Sequence, residues 1–131
     1  MRGQLPHDLT KQVVDQQVLA WAEISGDYNR LHVDRQYAAT TRYAEPILHG
    51  HLIIAWIMEW AMAWAGNEWM RRGRISQLRY LAPLHPGVEY VIRGLAGESD
   101  DGIQIVVLLP NGKHGVEAEL SLPSEASHDE D

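Results

Sequence analysis

Residues 52–65 read Leu52-Ile53-Ile54-Ala55-Trp56-Ile57-Met58-Glu59-Trp60-Ala61-Met62-Ala63-Trp64-Ala65, an apolar run interrupted only by Glu59. The run falls short of the roughly 20 residues that cross a bilayer, and it carries an acid in its middle. It therefore reads as a buried core helix, expected from about Gly50 to Arg71. Trp56, Trp60 and Trp64 recur at i, i+4 and i+8, so they share one helix face. A helix that is apolar all round must be covered on most of its sides. The rest of the chain has to supply that cover.

Outward from this helix the periodicity changes. After Gly73, residues 75–81 approach the alternation of a strand, and Pro83-Leu84-His85-Pro86-Gly87 is a turn cluster. A second strand is expected at 88–95, a hairpin turn at 98–102 and a third, buried strand at 103–109. Pro110-Asn111-Gly112-Lys113 turns the chain into a fourth strand over 114–122. Before the helix, residues 8–14 suit a short strand and Asp15 an N-cap. A helix is expected over 16–24, ending at Ser25-Gly26-Asp27, and a short one over 34–41. One antiparallel sheet must then curl around one long helix. That is an α+β chain of hotdog architecture.

Composition bounds the rest. A length of 131 residues suits one domain, and 45% hydrophobic with 22% charged residues is ordinary for a domain that buries a core. Eleven Lys and Arg against 18 Asp and Glu give a net charge of −7, which argues against nucleic acid as a partner. Four of those acids lie in the last ten residues, Leu122-Pro-Ser-Glu-Ala-Ser-His-Asp-Glu-Asp131. The expected division is a domain over 1–122 and a disordered acidic tail over 123–131. Without cysteine there can be no disulfide, thiol nucleophile or thiolate metal site. The polar start, MRGQLPHDLTKQ, lacks the apolar core of a secretory leader, so a cytoplasmic chain is expected, with no membrane partner.

Chemistry concentrates in Ser25-Gly-Asp-Tyr-Asn-Arg-Leu-His-Val-Asp34 and in Pro46-Ile-Leu-His-Gly50. Asp27 and His32, five apart in a loop, can converge on one small volume and hold a water between an acid and a base. Spacing alone leaves open whether Asp27 merely caps a turn and His32 is a surface residue. Gly50 opens the apolar helix, where free N–H groups favour developing negative charge. Taken alone, Gly50 reads equally as no more than a tight-turn residue after Pro46. His49-Gly50-His51 has two imidazoles and no carboxylate in the same segment, so no metal is expected there. Arg71, Arg72 and Arg74 form the one compact basic cluster, suited to phosphate or simply to a helix C-terminus. Arg79 and Arg93 are further cations on strands. Glu59 must find a partner or reach an edge.

Taken together, these residues resemble the MaoC-like hydratase family, also called hydratase 2 or R-specific enoyl-CoA hydratases. The resemblance rests on Ser25, Gly26, Asp27, Asn29, His32 and Asp34, on Tyr37, Ala38 and Thr41, and on Pro46, Ile47, His49 and Gly50. Leu78-Arg-Tyr-Leu-Ala-Pro83 and His85-Pro-Gly87 extend it, so that it covers about residues 13–122. It implies a hotdog homodimer that adds water to a trans-2-enoyl thioester, giving the R-3-hydroxyacyl product, or runs the reverse. No cofactor is implied. Asp27 and His32 would be the catalytic pair, with His32 activating water and Asp27 giving the α-proton. Asn29 would order the loop, and the Gly50 N–H would receive the thioester oxygen. His49 and Trp56 would border the substrate, with Arg71 and Arg72 on its phosphates. Indoles along an acyl pocket would favour short or flat acyl groups. Three positions depart from the family pattern: Arg30 replaces a proline, His51 an apolar residue, and Met58 a small or hydroxyl residue. The rival readings are a hotdog thioesterase, a dehydratase served by a carrier protein, and a catalytically silent acyl-binding subunit.

Overall fold

A computed structural model describes residues 5–96 and 102–123. The expected turn at 98–102, except for Gly102, and the acidic tail after Pro123 lie outside the described residues. The elements are β1 (Leu9–Lys11), α1 (Asp15–Ser25), α2 (Arg30–Val33), α3 (Arg35–Ala38), α4 (Gly50–Ala65) and α5 (Asn67–Arg72). Four strands follow: β2 (Arg74–Tyr80), β3 (Tyr90–Leu95), β4 (Gly102–Leu108) and β5 (His114–Ser121). The sheet order is β1-β3-β4-β5-β2, antiparallel at every pairing. This is the α+β hotdog arrangement expected. Among the described residues no helix is long and apolar enough to cross a membrane.

The register explains how the sheet covers α4. Ile92, Val107 and Val116 sit side by side across three strands, and Gly94, Ile105 and Ala118 form the next row. All of these except Gly94 are buried. They face Ile53, Trp56, Ile57, Trp60, Ala61 and Trp64, a buried stripe along α4. Gly94 is what lets the largest of these seat: a Cβ there would lie 2.3 Å from the Trp60 ring. The helix is not covered all round, however. Met58, Glu59 and Met62 stay exposed, and Glu59 reaches Lys11 Nζ at 2.8 Å on the edge strand β1.

The expected helix over 50–71 breaks. Gly66 adopts φ 58°, ψ −138°, backbone that only glycine takes readily, and its N–H closes on Met62 O at 2.8 Å. The chain then restarts as α5. Asp15 is not the N-cap of α1; Val14 holds that position, and the Gln17 side chain accepts from its N–H at 2.8 Å. The helix expected over 34–41 is α3 alone, capped by Asp34, and α2 before it went unforeseen.

One irregularity positions the site. In β2 the register slips between Ser76 and Arg79, where Gln77 has φ 54°. A bulge adds one residue and so exchanges the faces beyond it. Ile75 pairs with inward-facing Leu120, and after the slip Tyr80 pairs with inward-facing Val116. Without the bulge Tyr80 would point outward.

Replacing Gly94 by alanine should destabilise the fold by about 1–3 kcal/mol through overpacking against Trp60. Chemical denaturation measures this, and an unchanged midpoint would mean that the indole has room to move.

Candidate active site

The loop after α1 is built from short polar side chains that cap one another. Gly26 ends α1 in the left-handed conformation (φ 77°), its N–H bonded to Ala22 O. Ser25 Oγ accepts from the Asp27 N–H at 3.3 Å, and Asp27 Oδ1 accepts from the Asn29 N–H at 3.1 Å. Asn29 Oδ1 then caps α2 by accepting from Leu31 N–H, and Asp34 Oδ1 caps α3 by accepting from Tyr37 N–H. Each step of this relay needs a small acceptor side chain at that position. The result presents Asp27 and His32 on the same side of the loop.

Three bonds tie the loop to the segment before α4. Ile47 N–H donates to Leu31 O at 3.1 Å. His32 Nδ1 lies 2.8 Å from Ile47 O, and His49 Nε2 lies 2.9 Å from Asp27 O. A carbonyl can only accept, so Nδ1 of His32 and Nε2 of His49 carry the protons. The lone pair of neutral His32 is therefore at Nε2, which sits 3.7 Å from Asp27 Oδ2. That is too long for a direct hydrogen bond, yet both atoms can reach one water. The Asp27 side chain is 40% exposed and that of His32 13%, so the pair meets solvent mainly through the acid. The Asn29 N–H bond holds the Asp27 carboxyl below its ordinary range, and nearby His32 lowers it further. Asp27 thus rests ionised.

His49 is 1% exposed, with its ring stacked on His32 at 4.0 Å between centroids and 24° between planes. Burial pushes its pKa below the ordinary value. Its Nδ1 is buried without a hydrogen-bond partner among the described residues. One atom each from Asp27, His32 and His49 fall within 4.8 Å of one another. Near-parallel stacked imidazoles direct their lone pairs along separate planes, and His49 Nε2 is already a donor to Asp27 O. The set does not fit a chelated metal.

His32, though not Asp27, lines a cavity of about 480 Å³, whose walls also include Gly50, Ile53, Tyr80 and Leu84. Gly50 is the first residue of α4. Its N–H has no acceptor among the described residues and stands at the positive end of a 16-residue helix. Tyr80 Oη donates to Gly50 O at 3.0 Å, and a Cβ on Gly50 would lie 2.8 Å from that oxygen. Any larger residue there would have to displace the Tyr80 hydroxyl.

The structure thus brings Asp27, His32, Asn29, His49 and Gly50 together. His49 is buried beneath the pair and is not on the cavity wall, where the expectation put it at the substrate border. It does not bring Trp56, Arg71 or Arg72 to the site. Trp56 is buried in the core against Tyr90, with ring centroids 6.4 Å apart, and none of the three stacked-spacing tryptophans lines the cavity. Arg71 and Arg72 lie on α5, beyond the opposite end of α4, about 24 Å of helix from Gly50. Both pair with Glu68, and Arg72 also donates to Leu122 O and Pro123 O. Met58 is 41% exposed and lines no part of the cavity. Sequence reasoning missed Arg42, Tyr43 and Tyr80, all on the cavity wall. Tyr80 was hidden by the bulge, while Arg42 and Tyr43 fall in a loop with no periodicity.

Residues 3–114 match the family model described as "MaoC like domain". The chain belongs to the MaoC-like family. It is 44% identical over 45 residues to an (R)-specific enoyl-CoA hydratase of Aeromonas caviae, a match spanning 34% of each chain and so about a third of that relative's length. In structure it resembles the (R)-hydratase from A. caviae involved in PHA biosynthesis, with 26% identity, a TM-score of 0.71, and 94% of this chain and 97% of that one covered. The R-hydratase PhaJ1 from Pseudomonas aeruginosa is similar at 27% identity and a TM-score of 0.63, covering 93% and 83%.

Because folded His49 resists protonation, the unfolded chain binds one more proton between its ordinary value of 6.5 and the lowered folded value. Stability should be level above that window and fall as pH drops through it, by at most about 1.4 kcal/mol per pH unit. His49→Gln should be destabilised at pH 8 by about 1–3 kcal/mol but lose less on acidification. Parallel urea midpoints for the two proteins from pH 8 to 5.5 would refute a buried neutral imidazole.

Proposed function

We propose that this chain adds water across the double bond of a trans-2-enoyl thioester to give an R-3-hydroxyacyl thioester, and catalyses the reverse elimination. One observation carries the reading: the free lone pair of His32 Nε2 stands 3.7 Å from an ionised Asp27, beside a cavity walled by Gly50. The similarity to R-hydratases supports it. The thioester oxygen would accept from the Gly50 N–H, so that negative charge moving from the double bond gathers at the helix N-terminus. Water held by Asp27 Oδ2 and His32 Nε2 would attack the β-carbon.

The resting charge of Asp27 revises the division of roles expected from the sequence. An ionised carboxylate has no proton to give at the outset. The proton that reaches the α-carbon is then one the attacking water loses, carried across the Asp27–His32 pair. Water's O–H breaks, C–O and C–H bonds form, and both side chains return to their starting states. Asn29 contributes by its N–H, which keeps Asp27 ionised, and by capping the helix that bears His32.

A homodimer fits this reading. Strand β2 is a sheet edge, and Tyr80 and Leu81 at its end are 48% and 49% exposed on the cavity wall. Pairing of two such edges would cover them and complete the cavity from two chains. The thioester carrier is taken to be coenzyme A and the setting the cytoplasm.

Asp27→Asn and His32→Ala should each lower hydration of crotonyl-CoA by about 10²–10⁴-fold without unfolding the protein. The readout is loss of the enoyl thioester absorbance. Thioester cleavage without hydration by the wild type would replace the hydratase by a thioesterase. Hydration that survives both substitutions would remove the pair from the mechanism.

A further inference from the structure

The chain carries far more acid than base, yet among the described residues no carboxylate lines the cavity, and Arg42 is the one arginine on its wall. Six other arginines are each committed to an acid: Arg30 to Asp34, Arg35 to Asp15, Arg71 and Arg72 to Glu68, Arg79 to Glu117 and Arg93 to Asp8. Arg42 faces no carboxylate within ion-pair distance among the described residues. Its Nη2 donates to Tyr43 Oη at 2.8 Å, and its guanidinium carbon sits 4.9 Å from the Tyr43 ring centroid. That contact orients the group and uses one of five N–H donors, which leaves a planar fork to receive an oxyanion.

The backbone holds Arg42 in place at some expense. Thr41 Oγ1 donates to Ala38 O at 2.7 Å and accepts from the Tyr43 N–H, and Ala44 N–H closes the turn on Thr41 O at 3.1 Å. Ala44 has φ 65°, a conformation that residues other than glycine rarely adopt and that recurs at functional sites. The turn sets Tyr43, and with it Arg42, on the cavity wall.

Building on the hydratase reading, we propose that Arg42 binds a phosphate of the thioester carrier at the solvent edge of the cavity. Arg42 is exposed, whereas Ile53, Leu48 and Leu84 make the deeper wall apolar. An acyl chain belongs with those side chains, and the charged end of the substrate with the cation. This moves phosphate recognition from Arg71 and Arg72 to a residue eight positions before Gly50.

The test compares wild type, Arg42→Ala and Arg42→Lys on crotonyl-CoA and on crotonyl-N-acetylcysteamine, the same enoyl thioester without phosphate. The ratio of kcat/KM for the two substrates should fall about tenfold or more in Arg42→Ala, mostly through KM for crotonyl-CoA. Arg42→Lys should recover part of the loss, and added salt should narrow the gap. Equal effects on both substrates would overturn the assignment, as would no effect. So would a loss confined to an enoyl N-acetylcysteamine thioester carrying a terminal carboxylate, which would place Arg42 on the acyl group. Calorimetric binding of unreactive butyryl-CoA separates the two ideas. Arg42-dependent binding by a protein that hydrates nothing would keep the phosphate site and discard the hydratase. Hydration and binding that are both indifferent to Arg42 would do the opposite.

Discussion

The bond from buried His49 to the backbone carbonyl of Asp27 is the constraint around which the site is arranged. It joins the loop after α1 to the first turn of α4 across 22 residues of sequence. Through it the acid, the imidazole stacked above and the N–H of Gly50 are fixed relative to one another. Burial outweighs the nearby Asp27 carboxylate and holds this imidazole's pKa below the ordinary value, and its Nδ1 has no hydrogen-bond partner among the described residues. The neighbouring bonds, Ile47 to Leu31 and His32 to Ile47, act in parallel with it. Loss of any one leaves the segments apposed, whereas loss of His49 also removes the surface on which the His32 ring rests.

Much of this was legible in the sequence, and for definite reasons. Turn chemistry announced the strands, because Asn-Gly and Pro-rich clusters have few alternatives. The loop from Ser25 to Asp34 stands out by its resemblance to the family pattern, while the relay by which each side chain caps the next amide came from the structure. What stayed hidden depended on one backbone angle or on distance. Gly66, with apolar Trp64 and Ala65 before it and Asn67 and Glu68 after it, reads as part of one helix, and its φ and ψ end α4. Gln77 gives no signal at all, yet its positive φ turns Tyr80 inward. The three tryptophans were visible as a stripe, but a stripe cannot say whether it faces a sheet or a cavity. The cluster of Arg71 and Arg72 was visible as basic, but no local pattern announces the length of helix that separates it from Gly50.

Gly50 and Tyr80 show how a sheet irregularity can serve a helix terminus. The oxygen of Tyr80 occupies the space of the missing Cβ and bonds to the Gly50 carbonyl. That holds the Gly50–His51 peptide at the start of α4 against the edge strand. Burial raises the pKa of the Tyr80 phenol and keeps it a neutral donor. The left-handed residue in β2 is disfavoured by roughly 1–2 kcal/mol. It persists because the inward Tyr80 and Leu78 and the outward Arg79–Glu117 pair all require the shifted register.

The placement of the tryptophans also changes which side chains shape the cavity. If the indoles lined the cavity, three bulky rings would set a short chain. Instead they sit under the sheet, where Trp60 is locked by Gly94 and Trp56 meets Tyr90. The cavity is bounded by Ile53, Leu48 and Leu84, and Ile53 lies one turn along α4 from Gly50. Since Ile53 and Leu84 are almost wholly buried, neither can move aside without disturbing the core. On the proposed reading, two or three aliphatic side chains near the helix start would govern chain length, and the tryptophans would act on it only through the rigidity of the wall behind them.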